Sequence, residues 1–315
     1  MTMLDFFTSY STEQSCKAFF KSKKMQAGIK CIQCSSLVNY WIEKESRWKC
    51  RSCGKSMSLK TGTVMEHSNL GYKVWLWGIY FMSLTKKGFS ALEMQRLLGH
   101  SRYESIWLMM QKIRISMGHK DDSYALEGYI QMDEGFFEGH RKKDPQAIES
   151  KSLKELDRQV KAIVAVSTKP FAATEQKNYH PNTKCGFVKM NVVKSLCTKE
   201  VVCEASKMIQ KSATVITDGK RCYRGLTDIC IRHKEIIVKD KTEVSKIFPW
   251  VHIAISNAKK KILGLHHQVK NEYMQNYLNE FCYKFNRRYY GINLFERLLD
   301  ATLNNAWYKP FPNNG

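Results

Sequence analysis

The hydrophobic pattern divides the chain into stretches of different period. Residues 72–84 are apolar at nearly every position, which predicts a buried helix. Ser90-Ala-Leu-Glu93 has the form of a capping box, with Leu92, Leu97 and Leu98 as the apolar positions after it. Gly99 is placed to end this short helix. Ser101-Arg-Tyr-Glu104 repeats the box and opens a helix with Tyr103, Ile106, Trp107, Met110 and Ile113 at helical spacing. Two helices joined by a glycine turn have the form of a helix-turn-helix, its second helix led by Arg102, Tyr103 and Ser105. On this segment alone an ordinary helical hairpin fits equally well.

Past residue 126 the period shortens to two. Residues 128–137, GYIQMDEGFF, predict a strand with Ile130 and Met132 on one face and Tyr129, Gln131 and Asp133 on the other. Residues 161–167, 186–193, 213–219 and 233–239 predict further strands, and residues 134–160 a long charged connection. Val201, Val202, Ala205, Met208 and Ile209 mark a helix over 198–209. The order of three strands, helix, strand, short helix, strand, helix predicts an α/β fold with a mixed sheet. From 245 to 306 the pattern is helical again, and Met274, Leu278, Phe281 and Phe285 form one apolar face. The tail PFPNNG is expected to fray.

Charge narrows the partners. Lys and Arg outnumber Asp and Glu by 51 to 29 in 315 residues, a formal net charge of +22. Such a surplus favours a polyanion, with nucleic acid as the first expectation. The longest apolar run, residues 74–82, is far shorter than the ~20 residues a membrane span needs. The opening residues lack the form of a secretory signal, so a cytoplasmic, nucleoid-associated protein with reduced thiols is expected.

Four of the 11 cysteines stand as C-x2-C-x15-C-x2-C: Cys31, Cys34, Cys50 and Cys53. Each C-x-x-C turn aims two thiolates at one ion, and two turns complete a closed tetrahedral zinc site of structural kind. The other seven (Cys16, Cys185, Cys197, Cys203, Cys222, Cys230, Cys282) have no ligand spacing and read as small buried hydrophobes.

Two strand aspartates, Asp133 and Asp218, offer the oxygen donors that Mg²⁺ or Mn²⁺ takes. Taken singly, each reads more readily as a structural residue than a catalytic one, Asp218 as a turn residue before Gly219, and Glu134 competes with Asp133.

The ribbon, the helix-turn-helix, MDEGFFEG around Asp133, ITDG around Asp218, and ISNAKKKILGLHHQV followed by YLNEFCYKFNRR together carry a resemblance. Over nearly its whole length the chain resembles bacterial insertion-sequence transposases of the ISXO2-like group, whose core is of the RNase H-like DDE type. The resemblance implies a third metal ligand on a helix some thirty-odd positions beyond the second acid, with a basic residue seven further on. Thirty-four positions past Asp218 stands His252, and seven past that, Lys259. Seven residues are nearly two turns, so the two share a helix face with Ser256, while Asn257 faces away. Pro249 suits the first turn, which sets His252 at the positive end of the helix dipole and keeps a lone pair free on its imidazole. Lys260, and Arg287 and Arg288 at the end of a later helix, are expected to meet the DNA backbone.

Three domains follow: a zinc ribbon with an N-terminal helix (1–65), a helix-turn-helix segment (66–122) and the catalytic domain (123–315). By resemblance the expected partner is double-stranded DNA, both element ends and target, handled by a homodimer or higher oligomer. The alternative is a non-catalytic, domesticated DNA-binding protein.

Overall fold

The computed structural model describes residues 2–140, 159–170, 183–237, 247–266 and 269–304. The chain forms two compact units. One takes in Met1–Lys120 together with Tyr290–Gly315, the other Asp121–Tyr289. The chain thus re-enters the first unit at Tyr290, inside the segment expected to be catalytic.

The first unit opens with helices α1 (Met3–Ser9) and α2 (Glu13–Ala27), each started by a threonine whose side chain accepts from the third helical amide. A three-stranded antiparallel sheet follows: β1 (Asn39–Ile42), β2 (Arg47–Cys50) and β3 (Ser56–Ser58). Helix α3 (Tyr72–Leu84) falls on the predicted residues and buries Trp75, Leu76, Ile79 and Met82. Its own N-cap, Gly71, has no side chain, and the Glu13 carboxylate of α2 accepts from the Tyr72 and Lys73 amides at 2.6 and 2.9 Å.

Helix α4 (Ala91–Leu98) is capped by Ser90 and ended by Gly99 at φ +61°, both as expected. Its buried face is not the expected one: Ala91 and Met94 are buried, whereas Leu92 and Leu97 are about half exposed. Ala91, Met94 and Leu98 share one helical stripe, and the other two leucines fall off it. Helix α5 (Tyr103–Asp121) begins at Tyr103 with Arg102 ahead of it, one residue later than a Ser101 cap requires; the Arg102 amide donates instead to His100 Nδ1. It buries Ile106, Met109, Met110, Ile113 and Met117, while Tyr103 and Leu108 are exposed. At Gly78 of α3 a β-carbon would meet the end of Met109 at 2.5 Å, so the glycine admits close packing of α3 on α5.

The second unit holds β4 (Tyr129–His140), β5 (Gln159–Pro170), β6 (Thr183–Val193), β7 (Thr214–Asp218) and β8 (Arg232–Ile236) in the order β6-β5-β4-β7-β8, with a short β9 (Val269–Lys270) beside β4. β4, β5 and β6 are antiparallel; β4, β7 and β8 are parallel. This is the expected mixed sheet. One face packs on helix α6 (Thr198–Met208) and the 3-10 helix Arg221–Asp228, through Ile130, Met132, Val201, Ala205, Val215 and Tyr223. The other packs on α7 (Pro249–His266) and α8 (Met274–Asn286), through Val164, Val166, Val251, Ala254, Ala258 and Leu278. Helix α9 (Leu294–Asn304) belongs to the first unit. There Phe295 meets Phe6 and Tyr80 at centroid distances of 5.3 Å, and the Val64 amide donates to the Thr302 carbonyl at 3.0 Å. Among the described residues no helix is long and apolar enough to cross a membrane. The charged connection 134–160 lies mostly, and the tail PFPNNG wholly, outside the described residues.

Candidate active site and metal centres

The two cysteine turns are built alike. Cys31 N–H donates to the Ser36 carbonyl and Cys50 N–H to that of Lys55; Ser35 and Gly54 donate back to the carbonyls of Cys31 and Cys50. Ser35 and Gly54 take the same left-handed conformation, at φ +59° and +73°. Two such turns bring the Sγ atoms of Cys31 and Cys53, and of Cys34 and Cys50, to 3.6 Å, with all four within 4.8 Å of one another. Sulfurs at ~2.3 Å around a tetrahedral ion lie about 3.8 Å apart, so the donor set fits zinc. The backbone amide of Cys53 holds the Cys50 thiol down, while the neighbouring thiols push those of Cys34 and Cys53 up. Of the remaining cysteines, Cys16, Cys230 and Cys282 are buried as expected. Cys185 and Cys222 are half-buried, and Cys197 and Cys203 are exposed, on or beside the outer face of α6.

The carboxylates come from the sheet. β4 and β7 run parallel with Gln131 opposite Ile216, so two residues further on Asp133 and Asp218 come level. Both point to the α7 face, because alternate residues share a face. Glu134 points to the other face, where Tyr223 Oη donates to it at 2.8 Å. The Lys220 ammonium bridges all three carboxylates, at 3.8 Å from Asp133, 3.1 Å from Asp218 and in contact with Glu134. It occupies the place a cation would take. Oxygens of Asp133, Glu134 and Asp218 lie within 4.8 Å of one another, a donor set that fits a hard divalent ion. Burial raises the Asp133 carboxyl above the usual range, against the pull of Lys220 and His252. Asp218 is raised by burial and by the charge of Asp133.

Helix α7 begins at Pro249 and buries Val251, Ala254, Ile255, Ala258 and Ile262. His252 stands just off this stripe, with Nε2 at 3.8 Å from Asp133 Oδ2. That Nε2 is buried and, among the described residues, has no hydrogen-bond partner. An orphaned imidazole nitrogen beside a carboxylate cluster is a vacant donor of the kind a metal uses. Ser256 follows on the same side half-buried, then Lys259 exposed; Asn257 and Lys260 are exposed elsewhere on the helix. Lys261, next along the helix, is only 13% exposed and 3.4 Å from the buried Glu280 of α8.

The sequence profile of the ISXO2-like transposase domain matches residues 125–286, about half of the chain. The chain belongs to that family. It is a DNA transposase with an RNase H-like core, and the family implies DNA as partner. No curated protein matches it. The matched region runs from the edge of β4 through α8, so it holds both aspartates and His252.

Other expected site residues of the transposase are placed differently. Arg287 Nη1 pairs with the buried Asp121 at 2.7 Å, and the guanidinium stacks over Tyr283 at 3.7 Å. Arg288 donates to the carbonyls of Cys185, Gly186 and Phe285. Both guanidiniums thus have partners within the second unit. Arg102 and Tyr103 are exposed at the start of α5, where a recognition helix presents its leading residues. The sequence offers Glu134 only as a rival to Asp133, not as a member beside it, and gives no sign of Lys220 and Tyr223 as its partners. The one local signal was the run Asp218-Gly-Lys-Arg-Cys-Tyr223, whose 3-10 helix carries Tyr223 back under the carboxylates.

Proposed function

We propose that this transposase binds the inverted-repeat ends of its own element through the ribbon and the helix-turn-helix, and cleaves and joins DNA at Asp133, Asp218 and His252. The observation that carries the catalytic part is the buried, unpartnered Nε2 of His252 at 3.8 Å from Asp133. A divalent ion, Mg²⁺ or Mn²⁺, supplies Lewis-acid activation of an attacking oxygen and neutralises charge building on the phosphate. Asp133 and Asp218 would hold it from the sheet and His252 from the helix, in the place of a third carboxylate. Glu134, tied to Tyr223 and Lys220, fixes the stretch of β4 that carries Asp133.

Water attacks phosphorus at the element end, the bond to the 3′-oxygen breaks, and a free 3′-hydroxyl remains. That hydroxyl then attacks a phosphodiester of the target, joining the element and releasing a target 3′-hydroxyl. Lys259, exposed on the His252 side of α7, would hold a phosphate, and the exposed Lys260 would meet the backbone. A dimer or higher oligomer brings two ends together.

The test is cleavage of DNA carrying the element end with Mg²⁺ or Mn²⁺. The full chain nicks at the end and Asp133→Ala does not. An identical outcome for both proteins sinks the catalytic reading and leaves a DNA-binding protein.

A further inference from the structure

A helix that starts with proline lacks one amide donor, and its next two amides need an acceptor. In α7 these belong to Trp250 and Val251; the His252 amide already bonds to the Phe248 carbonyl. Phe248, the residue ahead of the helix, has no side-chain acceptor. The acceptor comes from the sheet. Gln131 Oε1 takes the Trp250 amide at 3.0 Å and the Val251 amide at 3.2 Å. Gln131 is buried on β4, two positions before Asp133 and on the same face. Trp250 adds a second tie, its indole nitrogen donating to the Thr183 carbonyl of β6 at 2.8 Å.

We propose that Gln131 is a positioning residue that fixes His252 against Asp133. Pin and contact run in the same order on both elements: Gln131 then Asp133 along β4, Trp250 and Val251 then His252 along α7. Two residues of strand cover about 6.6 Å, and two of helix about 3 Å, so the side chains close the remaining offset. With the helix start held by one strand oxygen, the imidazole cannot slide away from the carboxylate without breaking both bonds. Helix α3 meets the same need through Glu13, but Glu13 lies on a neighbouring helix. In α7 the cap sits on the strand that carries the metal-binding carboxylate.

The proposal rests on the metal reading of Asp133 and His252, and the experiment separates the two. Binding of Mn²⁺ alone to the full chain is followed by the loss of the free-ion spectrum in electron paramagnetic resonance, alongside thermal unfolding. Gln131→Leu is expected to weaken Mn²⁺ binding roughly tenfold, the low end of the loss seen when a ligand's outer support is removed. Gln131→Glu, whose carboxylate accepts the same two amides at a helix N-terminus, is expected to stay close to the parent. Gln275 provides the matched control. Its amide likewise ties a helix to a strand, accepting from Val192 at 2.7 Å and donating to Met190 at 2.9 Å, away from the site. Gln275→Leu is expected to lower the melting temperature and leave Mn²⁺ affinity unchanged. In the double variant with His252→Ala, Gln131→Leu should add little, because it acts through that imidazole.

Parent-like Mn²⁺ binding in Gln131→Leu overturns the proposal, as does an equal loss in Gln275→Leu. If His252→Ala keeps full affinity, there is nothing for Gln131 to position and the proposal falls too. Loss in Asp133→Ala with none in Gln131→Leu overturns the positioning role but leaves the metal site standing. No loss in Asp133→Ala removes the metal reading itself.

Discussion

The thiols of Cys31, Cys34, Cys50 and Cys53 come from two near-identical turns close in sequence, whereas Asp133, Asp218 and His252 come from two strands and a helix spread over more than a hundred positions. The first centre is shaped by local backbone geometry and closed by four soft ligands. The second is shaped by sheet register and helix capping, carries raised carboxylates, and holds a lysine among its oxygens. A local centre is lost when one ligand is lost. A centre assembled across the fold is adjustable, and its geometry depends on groups that never touch the ion.

Breaking the ribbon gives the largest effect. Structural zinc contributes on the order of 10 kcal/mol to the folding of such modules. Cys50→Ser is therefore expected to abolish zinc content, measured by atomic absorption, and binding to end DNA, while Mn²⁺ binding at the carboxylates persists. Joint loss of both metals would show that the two centres are not independent. Next, Asp133→Asn or Asp218→Asn removes several kcal/mol of charge stabilisation, which is roughly a thousandfold in end cleavage. Zinc content should not move, and residual cleavage near the parent rate would exclude that aspartate.

His252 gives a smaller, more informative effect. His252→Ala is expected to slow end cleavage about tenfold to a hundredfold, the range for disturbing a metal's surroundings. His252→Glu should recover the rate and shift the preference from Mn²⁺ toward Mg²⁺, since carboxylate suits the harder ion. If His252→Ala cleaves as well as the parent, α7 is only a basic helix beside the site.

The smallest effect lies back in the ribbon unit. Lys24 donates to the Leu59 and Thr61 carbonyls, and burial holds its amine down to about 8 from 10.5. Between those values the unfolded chain binds the extra proton, so stability rises as pH rises. Melting curves from pH 8 to 10.5 should climb, and Lys24→Met should flatten the climb. An unchanged slope in the variant would mean that another group is responsible.

The same contrast explains what the sequence made legible. The cysteine turns could be read because ligand spacing is the site. The strands, α3, α6 and the start of α7 at Pro249 could be read because each period is local. Asp133, Asp218 and His252 needed the family's spacing, and what surrounds them was hidden. Nothing in GYIQMDEGFF tells that Gln131 ends on a helix 119 positions away. Nothing there places Glu134 between Tyr223 and Lys220 either. The Asp121 partner of Arg287 was hidden for the same reason: a basic residue at a helix end has one pattern whether it faces solvent or a buried carboxylate. In α4, Leu92 and Leu97 misled because their hydrophobicity outweighed the helical stripe that Ala91 and Met94 mark.

The stacking of Phe6 on Tyr80 at 3.7 Å, with Phe295 edge-on to both, also orders events on the ribosome. The first unit cannot complete its core until α9 has emerged, after the whole second unit has been made. At ~5–20 residues per second, the stretch from Asp121 to Asn304 takes roughly ten to forty seconds. Through that interval the first unit waits without part of its core while the second is made, so a chain broken off early leaves Phe6 and Tyr80 without their Phe295 partner.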